Sequence, residues 1–229
     1  MKLRNILMVV ATMGIMLSST DRTGVVGYTE GDYTDMMTFA HKAAGQNVAF
    51  TSGNNFAAVW SDGGTTWGFT GGDTDDMVNM LWTNGTYGLD VAMSMDSDPN
   101  GDGTTFDLGF GMNLMGYDVG FSMDTAENGP MGLNLRGNCN FWVWDTMTFS
   151  YNAATTGNTD WTSIDVGMYS VNEWGPATGF FSMGITSSDN PAWTATWADA
   201  VTLLNTSFSV ESTLTDWCDL RMGYTKSFN

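Results

Sequence analysis

In Tyr87-Gly88-Leu89-Asp90-Val91-Ala92-Met93-Ser94-Met95, large apolar side chains alternate with small or polar ones. Phe106-Asp107-Leu108-Gly109-Phe110-Gly111-Met112-Asn113-Leu114 repeats the pattern, as does Tyr117-Asp118-Val119-Gly120-Phe121-Ser122-Met123. A period of two means β-strands, because successive side chains point to opposite faces. The polar face is built from Gly, Ser, Asn and Asp, not from the Lys, Glu and Thr of a solvated sheet. One face of large apolar groups and one of small polar groups suit a barrel with an apolar outside and a wet or tightly packed inside.

The chain has 229 residues, enough for one β-domain of ordinary to large size. With 28 Gly, only 4 Pro and 13% aromatics, it reads as many strands joined by tight turns and not as a disordered polymer. The net charge of −18 removes the basic footprint that a nucleic-acid partner requires. Lys2 and Arg4, the apolar run from Ile6 to Leu17 and the small residues Ser18-Ser19-Thr20 form a signal-peptide pattern over residues 1–20. No later run reaches the roughly 18 apolar residues of a spanning helix. Residues 21–45 are irregular; Asp32 to Ala44 reads as a short helix or as a plug segment.

Residues 46–229 form the expected barrel domain. Its candidate strand cores are 46–53, 54–62, 64–70, 77–83, 86–95, 104–115, 116–124, 130–137, 140–151, 161–171, 177–187, 192–203, 205–214 and 217–228. That is about fourteen strands, within a range of roughly 12 to 16, and several approach the ~9–11 residues that a tilted strand needs to cross a bilayer. From residue 71 onward the connections alternate long and short. Gly71–Asp76, Asp96–Gly103, Thr125–Gly129, Asn152–Asp160 and Ser188–Pro191 are the longer set. Asn84-Gly85, Met115-Gly116, Gly137–Cys139, Asn172–Pro176 and Leu204-Asn205 are the shorter. Tight turns on one side and longer loops on the other are a feature of outer-membrane barrels. Trp and Tyr cluster toward strand ends, as interfacial girdles do.

The signal peptide, the alternating strands and the closing Arg221-Met222-Gly223-Tyr224-Thr225-Lys226-Ser227-Phe228-Asn229 together resemble bacterial outer-membrane β-barrels of the porin-like kind. Members usually end in a strand with a terminal aromatic that the assembly machinery reads. Here Phe228 is penultimate, and Lys226 stands where an apolar residue is usual. The resemblance implies a closed antiparallel up-and-down barrel in the outer membrane, with the last strand ending on the periplasmic side.

Two constellations carry chemistry. Asp96, Asp98, Asn100, Asp102 and Asp107 lie at positions 1, 3, 5, 7 and 12 of a loop with Gly101 at position 6. This matches the spacing that wraps hard oxygens around Ca²⁺, although strands and not helices flank it. The second is the small-residue face itself, where Asp90, Asp107, Asn113, Asp118, Asn134 and Asp165 would line a lumen and favour cations. The alternative is a narrow barrel in which these groups bond to interior Ser and Thr and to Arg136 and Arg221. The bases are too few to pair every acid, which points to a hydrated interior.

The single histidine, His41, has Lys42 and no acid beside it, so nucleophilic catalysis is not expected. Cys139 is expected in a turn and Cys218 at the start of the last strand, at opposite barrel ends and without a disulfide. In Phe141–Tyr151 the apolar parity switches, which a β-bulge near Asp145 would reconcile; the alternative is a hydrophobic plug inside the barrel.

The leading expectation is a non-enzymatic, porin-like outer-membrane channel. It passes small cations or polar solutes through an acid-lined lumen, with lipid around it and further copies of the chain as candidate partners. It requires no cofactor, and Ca²⁺ is the candidate ion. The alternatives are a closed-interior barrel acting as an adhesin or structural protein, and a secreted calcium-stabilised β-sandwich that binds carbohydrate. A sandwich would bury Leu89, Val91, Met93, Phe110, Met112, Val119 and Phe121 between sheets; a barrel would leave them outward.

Overall fold

The computed structural model describes residues 33–52, 55–71, 76–95, 103–191, 201–215 and 218–228. Among these residues there are thirteen strands: β1 Val48–Ser52, β2 Asn55–Asp62, β3 Thr65–Gly71, β4 Asp76–Thr83, β5 Tyr87–Met95, β6 Thr104–Leu114, β7 Tyr117–Asp124, β8 Met131–Phe141, β9 Trp144–Thr156, β10 Thr159–Trp174, β11 Ala177–Ser188, β12 Val201–Thr215 and β13 Cys218–Phe228. They form an antiparallel up-and-down sheet whose strand order is the sequence order, running linearly from β1 to β13. The protein is therefore all-β, as the alternation predicts. Two short 3₁₀ turns, Tyr33–Met37 and Ala40–Ala43, precede the strands.

The chain divides into two compact units. One comprises Gly31–Met112 with Asp124–Glu127, and the other Asn113–Met123 with Asn128–Asn229. In the first, β1 to β6 pair successively, and the 3₁₀ segment lies across their small-residue face. Met36, Ala40 and Ala43 bury themselves against Ala57, Val59 and Leu81, with Val48 at the edge. The fit depends on glycine. A Cβ at Gly88 would come within 2.2 Å of the His41 amide nitrogen, and one at Gly111 within 2.5 Å of the Ala40 nitrogen. The hydroxyl of Thr66 accepts the Gly45 amide at 3.0 Å and pairs with Ser61 at 2.7 Å. The Ser61 hydroxyl also donates to the Gln46 carbonyl at 3.1 Å. The loop 124–127 is tied to β6, where the Thr125 amide donates to the Phe106 carbonyl at 2.9 Å and the Phe106 amide donates to the Thr125 hydroxyl at 2.8 Å.

In the second unit the register is long and regular. Trp174 pairs with Ala177 and Ser163 with Ser188 along one uninterrupted β10–β11 ladder. Several expected loops are strand instead. Asn152 to Thr156 pair with β10, and the chain turns at Gly157-Asn158. The strand before Trp174 likewise continues to a tight Gly175-Pro176 turn. Leu204-Asn205 is no turn. Leu204 pairs with Ile185 and Asn205 with Gly184 in the middle of β12. Residues 201–203 and 205–214, expected in two strands, belong to the one strand β12; the rest of the expected 192–203 strand lies outside the described residues. These Asn residues read as turn formers, but the sheet uses them as polar strand positions. Asn152 Nδ2 donates to Ser150 Oγ at 3.1 Å, and Asn205 Nδ2 to Thr186 Oγ1 at 2.8 Å.

The Phe141 to Tyr151 anomaly has a different origin from a bulge at Asp145. The turn falls at Trp142-Val143, with Phe141 opposite Trp144, and the register shifts between Asn138 and Phe141. Asn140 and Trp142 adopt φ of 44° and 55°. A bulky residue at positive φ is strained by about 1–3 kcal/mol, and sequence patterns give no warning of it. Cys139 is consequently a β8 residue, not a turn residue. It lies near the same end of this unit as Cys218, because β8 ends and β13 begins at that end. The Cys139 thiol is free and donates to the Trp144 carbonyl at 3.4 Å. The last strand also runs the other way from expectation: it starts at the 216–217 connection, so Phe228 stands at the end of this unit that carries the 189–200 connection.

The connections keep part of their expected rhythm. Gly63-Gly64, Asn84–Thr86, Met115-Gly116, Trp142-Val143, Gly175-Pro176 and 216–217 are all short. The alternate set includes the longer 96–103, 125–130 and 189–200, but also the tight 53–54 and 157–158.

Aromatic rings cover glycines on the apolar face. The Tyr117 ring lies over Gly137, where a Cβ would stand 2.1 Å from its Cδ1, and the Trp174 ring lies over Gly179. Gly137→Ala should therefore cost about 1–3 kcal/mol of stability. Most of that loss should disappear in Gly137→Ala/Tyr117→Ala, as read by urea unfolding midpoints.

Candidate functional site

The sheet places every alternate side chain of a strand on one face, and directly paired residues on adjacent strands share it. Register therefore assembles the small-residue face into rows. One row runs Gly120, Asn134, Ser150, Asp165 and Thr186 across β7 to β11. The next runs Asp118, Arg136, Thr148, Gly167 and Gly184.

Asp118 and Arg136 face each other in register and form an ion pair. Arg136 Nη2 lies 2.7 Å from Asp118 Oδ2, with side chains 3% and 6% exposed. Arg136 Nε donates to the same oxygen at 3.2 Å, and Asn113 Nδ2 donates to Oδ1 at 3.1 Å. Asn113 Oδ1 in turn accepts the Gly116 amide at 3.2 Å, which links the pair to the Met115-Gly116 turn. A guanidinium that shares a carboxylate in this way fixes orientation as well as charge.

Asp165 anchors a second chain of contacts. It accepts from the Thr186 hydroxyl; Asn205 donates to Thr186, and the Ser227 hydroxyl donates to Asn205 Oδ1 at 2.6 Å. The chain thus crosses β10, β11, β12 and β13. Glu211 and Arg221 pair at 2.6 Å across β12 and β13, and Arg221 also reaches Asp219 at 3.1 Å.

The expected lining residues all lie on this face, but in different states. Asp118 is buried in its ion pair. Asp165, Asn134 and Asp90 are half-buried; Asp107 and Asn113 are exposed. Asp90 and Asp107 are diagonal neighbours, since Asp90 pairs with Gly109 and Asp107 with Ala92. Asp118 and Glu211 are held in ion pairs with Arg136 and Arg221.

Of the calcium-loop residues, Asp96, Asp98, Asn100 and Asp102 lie outside the described residues. Asp107 is a β6 strand residue. Among the described residues no group of three or more His, Cys, Asp or Glu side chains converges as an ion site. His41 is buried within the 3₁₀ segment, with its ring edge-on to Phe39. Sequence reasoning missed Thr186, Asn205, Ser227 and Glu211 as members of the polar network. Strand parity would have placed them on this face, had the Leu204-Asn205 turn not broken it.

The opposite face is apolar and open. Leu89, Val91, Phe106, Phe121, Met147, Ile164, Val166, Ile185, Phe208 and Met222 are all exposed, and Met115 and Trp142 at the turns are 91% and 87% exposed. Among the described residues no helix is long and apolar enough to cross a membrane. No protein-family model, no curated protein and no solved structure matches this chain.

The buried pair should show the asymmetry of a desolvated ion pair. Arg136→Met alone should lower stability by about 3–5 kcal/mol, because it leaves the Asp118 carboxylate buried without its counter-charge. Arg136→Met/Asp118→Leu should recover most of the loss in the same urea titration.

Proposed function

We propose that this protein is a membrane-embedded β-barrel of the porin-like outer-membrane kind, and that it passes small cations through a narrow, acid-bearing interior. One observation carries the reading. Large apolar side chains are exposed on one face of consecutive strands, while several polar groups on the other face, Asp118, Arg136, Thr186 and Ser209 among them, are buried. That is the inverse of a soluble sheet, whose apolar face is covered. In a bilayer the arrangement is favourable, since each Å² of apolar surface removed from water contributes about 25 cal/mol. Closure of the sheet turns the small-residue face inward and leaves the backbone without an edge in lipid.

The sandwich reading needs Leu89, Val91 and Phe121 between sheets, but these residues are exposed. The closed-interior barrel has one observation in its favour, the burial of the Asp118–Arg136 pair. Asp165 favours permeation, since it places a half-buried carboxylate on the small-residue face away from that pair.

Reconstituted protein should show tryptophan fluorescence quenched by brominated lipid, and a gel mobility that shifts on boiling. In planar bilayers with a salt gradient, the reversal potential should report cation preference, and Asp165→Asn should reduce it. Unquenched fluorescence would remove the membrane reading. Quenching without conductance would leave the closed-interior barrel.

A further inference from the structure

We propose that the segment 33–45 is a built-in plug that closes the cation path along the small-residue face of the first unit, and that Gly88 and Gly111 are the sockets that seat it. This inference rests on the pore reading above.

The seat is specific. The segment approaches the sheet backbone to backbone, at a distance only glycine allows. A Cβ on Gly88 would meet His41 N at 2.2 Å and the Ala40 carbonyl carbon at 2.3 Å; one on Gly111 would meet Ala40 N at 2.5 Å and His41 Nδ1 at 3.0 Å. Met36, Phe39, Ala40 and Ala43 are buried, and so are the polar Asp35 and His41. Met36, Ala40 and Ala43 meet Ala57, Val59 and Leu81, apolar residues on an otherwise small or polar face. They form an apolar patch that has no use in a water-filled lumen and is explained by the segment that covers it.

The segment also has a defined anchor, because Gly45 donates to Thr66 and the Ala44 side chain stands beside the Gly85 turn. It is built from two short 3₁₀ turns and not from a long helix or a strand. The cooperative ladder that holds the strands therefore does not hold it in place. An element outside the strand ladder can leave without unfolding the sheet.

Two manipulations of the full chain test this, in a background with Cys139 and Cys218 replaced by Ser. The first forces the plug off its seat with Gly88→Ala and Gly111→Ala. The second locks it on with Ala44→Cys/Gly85→Cys, for which the Ala44 Cβ stands 3.6 Å from a Cβ built at Gly85, within the range a disulfide bridges. Seating is read independently of current, by the rate at which a maleimide labels a single Ala57→Cys placed under the segment.

The proposal expects labelling at least tenfold faster in the glycine variants than in the parent, and a several-fold larger conductance. It also expects the oxidised lock to hold conductance below the parent level until a reductant restores it. Bromolipid quenching identifies the variants that still insert. Inserted glycine variants with parental labelling and parental conductance would overturn the plug, as would an oxidised lock that conducts like its reduced form. Faster labelling with no current in any protein would overturn the pore reading and leave the seat standing.

Discussion

The hydrogen-bond ladder between antiparallel neighbours is the constraint on which everything else in this chain depends. It satisfies the backbone polar groups of each strand and forces successive side chains to opposite faces. Once β10 and β11 are in register from Trp174 to Ser163, Asp165, Thr186 and Ser188 must share one face, and Ile164, Val166, Met168, Met183 and Ile185 must share the other. A slip of one residue would turn Asp165 onto the apolar face beside Ile185, and would turn Ile164 and Val166 onto the small-residue face. The cost of an unpaired carboxylate on the apolar face makes that slip prohibitive.

The same constraint builds the polar network. Asp118 meets Arg136 because they are register partners, and Glu211 meets Arg221 for the same reason. The contact from Asp165 through Thr186 and Asn205 to Ser227 crosses four strands without a loop residue. Charge is thus distributed by the pairing scheme, and the scarce bases are spent on particular acids. Asp165, by contrast, is held by the Thr186 hydroxyl.

Legibility in the sequence followed the strength of the local signal. The strands from Tyr87 to Met123 were read nearly to their boundaries, because alternation there is unbroken and Gly116 marks the reversal between two runs. Boundaries were misplaced where polar small residues stand inside strands. Asn152 and Asn205 carry turn propensity, yet their side chains find partners on the small-residue face, so the ladder continues through them. The reverse error occurred at Trp142, where the chain reverses on bulky apolar residues at positive φ that no turn rule selects.

What the sequence by itself determined is the all-β architecture and the sidedness of its strands, because a period of two is a local property that backbone geometry converts directly into two faces. What only the tertiary structure decided is which groups meet across strands and what covers the small-residue face. The pairing of Asp118 with Arg136 depends on register over 18 residues of separation. The seating of residues 33–45 depends on Gly88 and Gly111, which lie far along the chain and in strand runs where glycine looks like one more small residue. Their meaning is a distance of approach between two backbones, and that quantity exists only once the chain has folded.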